Sequence, residues 1–204
     1  MGITNFSLEL LQPVIDLLPL EQRAVFELGS QQTYVAGDQY GKFSDWFYKQ
    51  NGFVDIVQID LNGENNSFKM DLSDYRQFGH FWGVFPLVTD FGTSEHVSGP
   101  SGKHDLISFY NCWIIKLLAC SFGGYIVSEN PLTGHWPGHG CNYVCEDFYI
   151  KLAEWCNLEI ITIGVHYAMG NVTDGANVFC VLRKNSSFVL PDFTDFIDLP
   201  IFDK

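Results

Sequence analysis

Acidic residues recur where short apolar runs end. Glu27 lies in Val25-Phe26-Glu27-Leu28-Gly29-Ser30, Asp60 in Ile59-Asp60-Leu61-Asn62, Asp71 in Met70-Asp71-Leu72, and Asp90 in Thr89-Asp90-Phe91-Gly92. A glycine directly after a buried run lets a ligand approach the backbone, and a neighbouring acid accepts from a ligand ammonium. An acid closing a second strand suits a pair of ribose hydroxyls, because one carboxylate accepts two hydrogen bonds at once. Each acid alone is accounted for by strand ends meeting solvent. Four in succession point to a ligand crevice.

A second group is rich in histidine. Thr93-Ser94-Glu95-His96 follows the Asp90 run, and Glu129-Asn130-Pro131-Leu132-Thr133-Gly134-His135-Trp136-Pro137-Gly138-His139-Gly140 follows a later one. A carboxylate or imidazole here could take a proton from a substrate or orient it. His135 and His139 with Glu95, His96 or Glu129 could instead bind a metal, and the same residues could merely pack the loop. His-x-x-x-His pairs ligands on a helix, but Gly134, Pro137 and Gly138 exclude a helix here. The expectation is therefore a substrate site, with Glu95, His96, Glu129 and His139 as its catalytic residues and no metal assigned. His166 is placed in the same group; His80 and His104 are read as ordinary surface or helix-start residues.

These residues need a scaffold, and the chain alternates strand and helix patterns. A leucine-rich helical stretch, Thr4 to Leu20, is interrupted by Pro13. Strand patterns follow at Ala24–Leu28, Val54–Leu61, Ser67–Leu72, Phe85–Phe91 and Tyr125–Ser128, with a helix over Lys42–Gln50. Leu106, Phe109, Tyr110, Trp113, Ile114, Leu117 and Leu118 mark a long helix from His104 to Ala119, which Gly123-Gly124 ends. Glu146–Cys156 is a further helix, with Phe148, Leu152 and Trp155 facing inward. Leu158–His166 and Val178–Arg183 flank the connector Met169–Ala176 and suit a long antiparallel hairpin. The expectation is a doubly wound α/β fold: a mostly parallel seven-stranded sheet with a terminal antiparallel hairpin and helices on both faces. Residues 1–23 are read as a helical extension, 24–184 as the domain and 185–204 as an acidic tail. That tail, with Asp192, Asp195, Asp198 and Asp203, either folds over the sheet edge or contacts a second subunit, as in a homodimer.

Composition narrows the partners. In 204 residues, 24 acids against 11 bases give a net charge of −13, which repels nucleic acid. No apolar run approaches the ~20 residues of a membrane span, and the start of the chain lacks a signal peptide's basic residues. The six cysteines form no C-x-x-C pair. They are read as reduced and mostly buried, which suits a cytoplasmic location.

From Val25 to Arg183 the chain resembles the class I S-adenosylmethionine-dependent methyltransferases. Glu27-Leu28-Gly29-Ser30 is similar to the start of that family's first motif, which holds the methionine part of the cofactor. Asp60, followed by Leu61, matches the acid that takes the ribose hydroxyls. Asp71-Leu72 matches the pair that reads the adenine amino group and covers its ring. Asp90-Phe91 stands at the fourth motif, where methyl transfer takes place. The resemblance implies S-adenosylmethionine as cofactor and methyl transfer to a small-molecule acceptor. One departure keeps an alternative open: Ser30-Gln31-Gln32 stands where the family has further glycines, as in a non-catalytic binding or scaffold domain that has lost the cofactor.

Overall fold

The computed structural model describes residues 2–35, 40–167 and 175–202. Asp203 and most of the Met169–Ala176 connector lie outside them. A helix α1 (Asn5–Leu17) leads into β1 (Ala24–Leu28), α2 (Ser44–Gln50), β2 (Asp55–Asp60), the two-residue β3 (Phe68–Lys69) and β4 (Phe85–Phe91). Then come α3 (Leu106–Ala119), β5 (Cys120–Pro131), β6 (Tyr143–Val144), α4 (Glu146–Cys156), β7 (Leu158–Tyr167), β8 (Ala176–Lys184), α5 (Phe193–Phe196) and β9 (Ile201–Phe202). The main sheet has seven strands in the order β3-β2-β1-β4-β5-β8-β7. Only β8 runs antiparallel, inserted between β5 and β7. The tail closes a small second sheet, with β9 pairing β6.

The strands are apolar on both sides because helices cover both. Val25, Leu87, Val127 and Val181 pack with Leu11 and Ile15 of α1 and Phe47 of α2. Phe26, Val88, Ile126 and Cys180 point the other way, toward Phe109 and Trp113 of α3 and Phe148 and Leu152 of α4. Alternation along each strand thus divides the core into two layers.

Several expectations change in detail. The leucine-rich stretch is one continuous helix, with Pro13 inside it. Pro13 cannot bond the Glu9 carbonyl, but both residues are exposed, so water can satisfy that oxygen. The third strand shrinks to Phe68–Lys69. β5 begins at Cys120, immediately after α3, five residues before the expected start at Tyr125. Gly123-Gly124 is therefore not a helix-ending turn. It lies in an irregularity where the pairing jumps from Phe85↔Cys120 to Leu87↔Tyr125. Gly123 has φ +81°, a backbone state that favours glycine. Trp155 is half-exposed, and Tyr149 and Cys156 fill the inner face of α4 instead. All six cysteines are free thiols; burial pushes Cys120 and Cys156 up to about 12, so they act as small apolar side chains. The tail lies over α3, where Phe196 packs on Phe109 and Tyr110.

Within the apolar stripe of α3 sits a fully buried lysine. The Lys116 ammonium is 2.8 Å from the Asp90 carboxylate at the end of β4 and lies over the Trp113 ring. Lys116→Met should cost about 3–5 kcal/mol in urea unfolding, because it strands a buried carboxylate. The double variant Asp90→Asn/Lys116→Met should cost clearly less than the sum of its two single variants.

Candidate functional site

The strand order reverses direction between β1 and β4, and a cavity opens there, at the carboxyl ends of the strands. It encloses about 600 Å³, in the range of small-molecule sites. Its walls come from Gly29–Gln31 after β1, Ile59–Leu61 at the end of β2, Met70–Ser73 beyond β3, and Gly92–Thr93 with His96–Pro100 after β4. Of the residues expected to hold a cofactor, Gly29, Asp60, Leu61, Asp71 and Leu72 line it.

Gly29 turns the chain with φ +77°, and a Cβ there would clash with the Thr93 hydroxyl. Only glycine fits this crossing of the first and fourth strand ends. The Gln31 amide donates back to the Leu28 carbonyl at 3.0 Å and to Thr93 Oγ1 at 2.7 Å, folding its side chain onto the turn. Asp60 is held at both oxygens: Oδ2 accepts from the Ser30 N–H at 3.0 Å and Oδ1 from the Asn62 N–H at 3.1 Å. A carboxylate has about four acceptor sites, so each oxygen keeps one for a ligand. Asp71 accepts from the Ser73 N–H at 2.8 Å, which fixes the turn carrying Leu72.

Four expected site residues stand elsewhere. Glu27 faces α2 and is wholly enclosed, accepting from Ser44, from Gln58 Nε2 at 2.7 Å and from the Tyr48 hydroxyl at 3.0 Å. Strand alternation puts it on the Val25 side of the sheet, away from the cavity. Asp90 is spent on Lys116 and on the backbone N–H groups of Thr93 and Ser94. Burial opposes its ionisation, but the Lys116 ammonium and these donors outweigh burial and hold its carboxyl below the usual range. Phe91 is buried in the layer beneath α1. Glu129 also faces that layer, accepting from Ser7 Oγ and Asn177 Nδ2, both at 2.8 Å.

Asn130, one residue on, points to the opposite face. Its amide N–H₂ group lies 3.0 Å from Ser94 Oγ and 3.3 Å from both Asp90 Oδ2 and Glu95 Oε2, while its oxygen accepts from the Tyr149 hydroxyl at 2.8 Å. Glu95 and His96 form a 3-10 turn after β4. The Glu95 side chain is fully enclosed, with Oε1 3.6 Å from His96 Nε2 and 3.8 Å from His139 Nε2. Burial draws the His96 pKa down, although Glu95 pulls the other way. His139 is set by Tyr143, whose hydroxyl accepts from the N–H groups of His139 and Gly140 and donates to the Trp136 carbonyl. Two expected members leave the group: His135 sits edge-on to Tyr167, and His166 stacks on Phe6. His104, read as lying outside it, contacts Asn142.

No protein-family model matches the chain, and no curated protein matches it in sequence. Solved structures do match its architecture. A methyltransferase from Archaeoglobus fulgidus described as dependent on S-adenosylmethionine aligns with TM-score 0.56 and 11% identity, over 87% of this chain and 91% of that one. The fold is that of the S-adenosylmethionine-dependent methyltransferases. The N-methyltransferase NodS from Bradyrhizobium japonicum, in complex with S-adenosylhomocysteine, aligns with TM-score 0.54 and 13% identity over 89% and 88%. A 1,6-didemethyltoxoflavin-N1-methyltransferase from Burkholderia thailandensis gives 0.52 and 11% over 86% and 78%. Ser30, Gln31 and Thr93 also line the cavity, although the sequence assigned them no role in holding the cofactor, and the Val97–Pro100 segment is a part of the wall that the sequence did not point to. The residue types of Val97–Pro100 carry no signal; only the turn geometry brings them to the wall.

Glu27 makes stability depend on pH. Burial is the main cause that raises its pKa from 4.5 to about 7, against its hydrogen bonds from Ser44, Gln58 and Tyr48. The folded state then holds a proton that the unfolded chain has released, so this contribution is full below pH 4.5 and is lost as pH rises to about 7. Between pH 4.5 and 8, the parent should lose about 3 kcal/mol more than Glu27→Gln, as read from urea midpoints.

Proposed function

We propose that the cavity binds S-adenosylmethionine and that the protein transfers its methyl group to a small-molecule acceptor. The observation that carries this reading is Asp60: a carboxylate locked by two backbone donors, with acceptor capacity left on both oxygens, beside a glycine turn no other residue could make. The cofactor would bring the electrophilic methyl group. This chain's residues would supply binding and alignment, which a simple displacement chiefly needs.

Asp60 would accept from the ribose hydroxyls, Asp71 from the adenine amino group, and Leu72 would cover the ring. The Gly29 turn would pass close to the methionine part. The acceptor would enter from the His96–Pro100 side, where His96 is 46% exposed along its side chain. A net charge of −13 favours a small acceptor over nucleic acid.

A second reading, a binding module without methyl transfer, is favoured by one observation. The Gln31 amide would lie 2.6 Å from a Cβ at Gly29, so it occupies space beside the turn. Calorimetry with S-adenosylhomocysteine separates the readings, since the binding module gives no heat at millimolar ligand. On the methyltransferase reading the parent binds, and Asp60→Ala weakens binding roughly ten- to hundredfold, the worth of about 1.5–3 kcal/mol of charge-assisted hydrogen bonds. The variant should lose only about 1 kcal/mol of stability, because the freed N–H groups can turn to water.

A further inference from the structure

We propose that Glu95, His96 and His139 form a divalent-metal site at the rim of the cavity. One donor atom from each residue lies within 4.8 Å of the other two. The Glu95 side chain is fully enclosed, and its Oε1 has no hydrogen-bond partner among the described residues. An unpaired buried carboxylate oxygen is costly, and in a folded protein it calls for a partner. The groups it faces are the two imidazole nitrogens, at 3.6 and 3.8 Å. Those separations are too long for hydrogen bonds. They are close to the ~3.4 Å that separates neighbouring ligands in a tetrahedron of ~2.1 Å bonds.

The surroundings suit a metal. Asn130 donates to the other Glu95 oxygen, which turns Oε1 toward the histidines, as outer groups orient carboxylate ligands. Gly140 packs so tightly on Glu95 that a Cβ there would meet its Cγ and its backbone carbonyl at 2.9 Å, so the His139 loop is seated directly against Glu95. Both imidazoles reach solvent, at 46% and 32% side-chain exposure, which gives an ion a way in. Two nitrogens and one oxygen suit zinc, cobalt, iron or manganese more than calcium or magnesium. Three protein ligands leave positions open, and His96 sets them beside the cavity, where water or a donor atom of a bound small molecule would complete the shell.

The test is a Co²⁺ titration of protein made without a histidine tag and stripped with chelator, read by visible absorption. It needs no nucleoside cofactor, so its outcome is separate from that of the methyltransferase reading. One equivalent should bind, without the strong near-ultraviolet band of thiolate ligation that Cys141 or Cys145 would produce. Glu95→Gln, which keeps the Asn130 contact, and His139→Ala, in a surface loop, should each weaken binding more than tenfold while the far-ultraviolet circular dichroism stays unchanged. His135→Ala should bind as the parent does. Absence of one-equivalent binding overturns the proposal, as do a thiolate band, parent-like affinity in both ligand variants, or equal loss in His135→Ala.

Discussion

A carboxylate and an ammonium enclosed together fix the geometry of this protein's crevice. Asp90 stands one residue before the end of β4 and Lys116 rises from the last turn of α3; each would be costly to bury alone. Together they bind strand to helix, and the remaining acceptor capacity of Asp90 reaches further. Its Oδ1 takes the backbone N–H groups of Thr93 and Ser94, which bends the chain into the turn carrying Glu95 and His96. Asn130 joins from β5, and Tyr149 of α4 closes the chain of hydrogen bonds. One ion pair thus orders the ends of two strands, two helices and the turn that forms a wall of the cavity.

The sheet then acts as a divider. Glu129 and Asn130 are adjacent, yet one serves the layer under α1 and the other the layer under α3 and α4. The same alternation sends Glu27 to α2 while Gly29, beyond the strand end, reaches the cavity. Glu27, Asp90 and Glu129, inside their strands, are therefore spent on structural partners, while Asp60, the last residue of β2, and Asp71, beyond β3, face the cavity.

Much of this was legible in the sequence. The apolar runs of β1 and β4 and the periodic stripes of α3 and α4 placed those elements, because burial enforces their patterns. The acids Asp60 and Asp71 announced the cavity through their position after apolar runs. Other features had no local signal. Lys116 was hidden in the α3 stripe, since nothing nearby in sequence says that a buried carboxylate waits across the core. Gly123-Gly124 reads as a helix stop in isolation and becomes a strand irregularity only when β5 meets β4. Glu129 and Asn130 could have been separated by counting residues along β5 with its true start known. The meeting of Glu95 with His139 depends on how the 132–142 loop folds around the Tyr143 hydroxyl, which no pattern encodes.

The central claim is that the cavity between the β1 and β4 strand ends is a nucleoside-cofactor site. Hydrogen–deuterium exchange of the parent protein with and without S-adenosylhomocysteine tests it most directly. The account predicts saturable protection in peptides covering 28–33, 59–73 and 92–100, and none in α1. Unchanged exchange at millimolar ligand, or protection confined to segments outside the cavity walls, would contradict it.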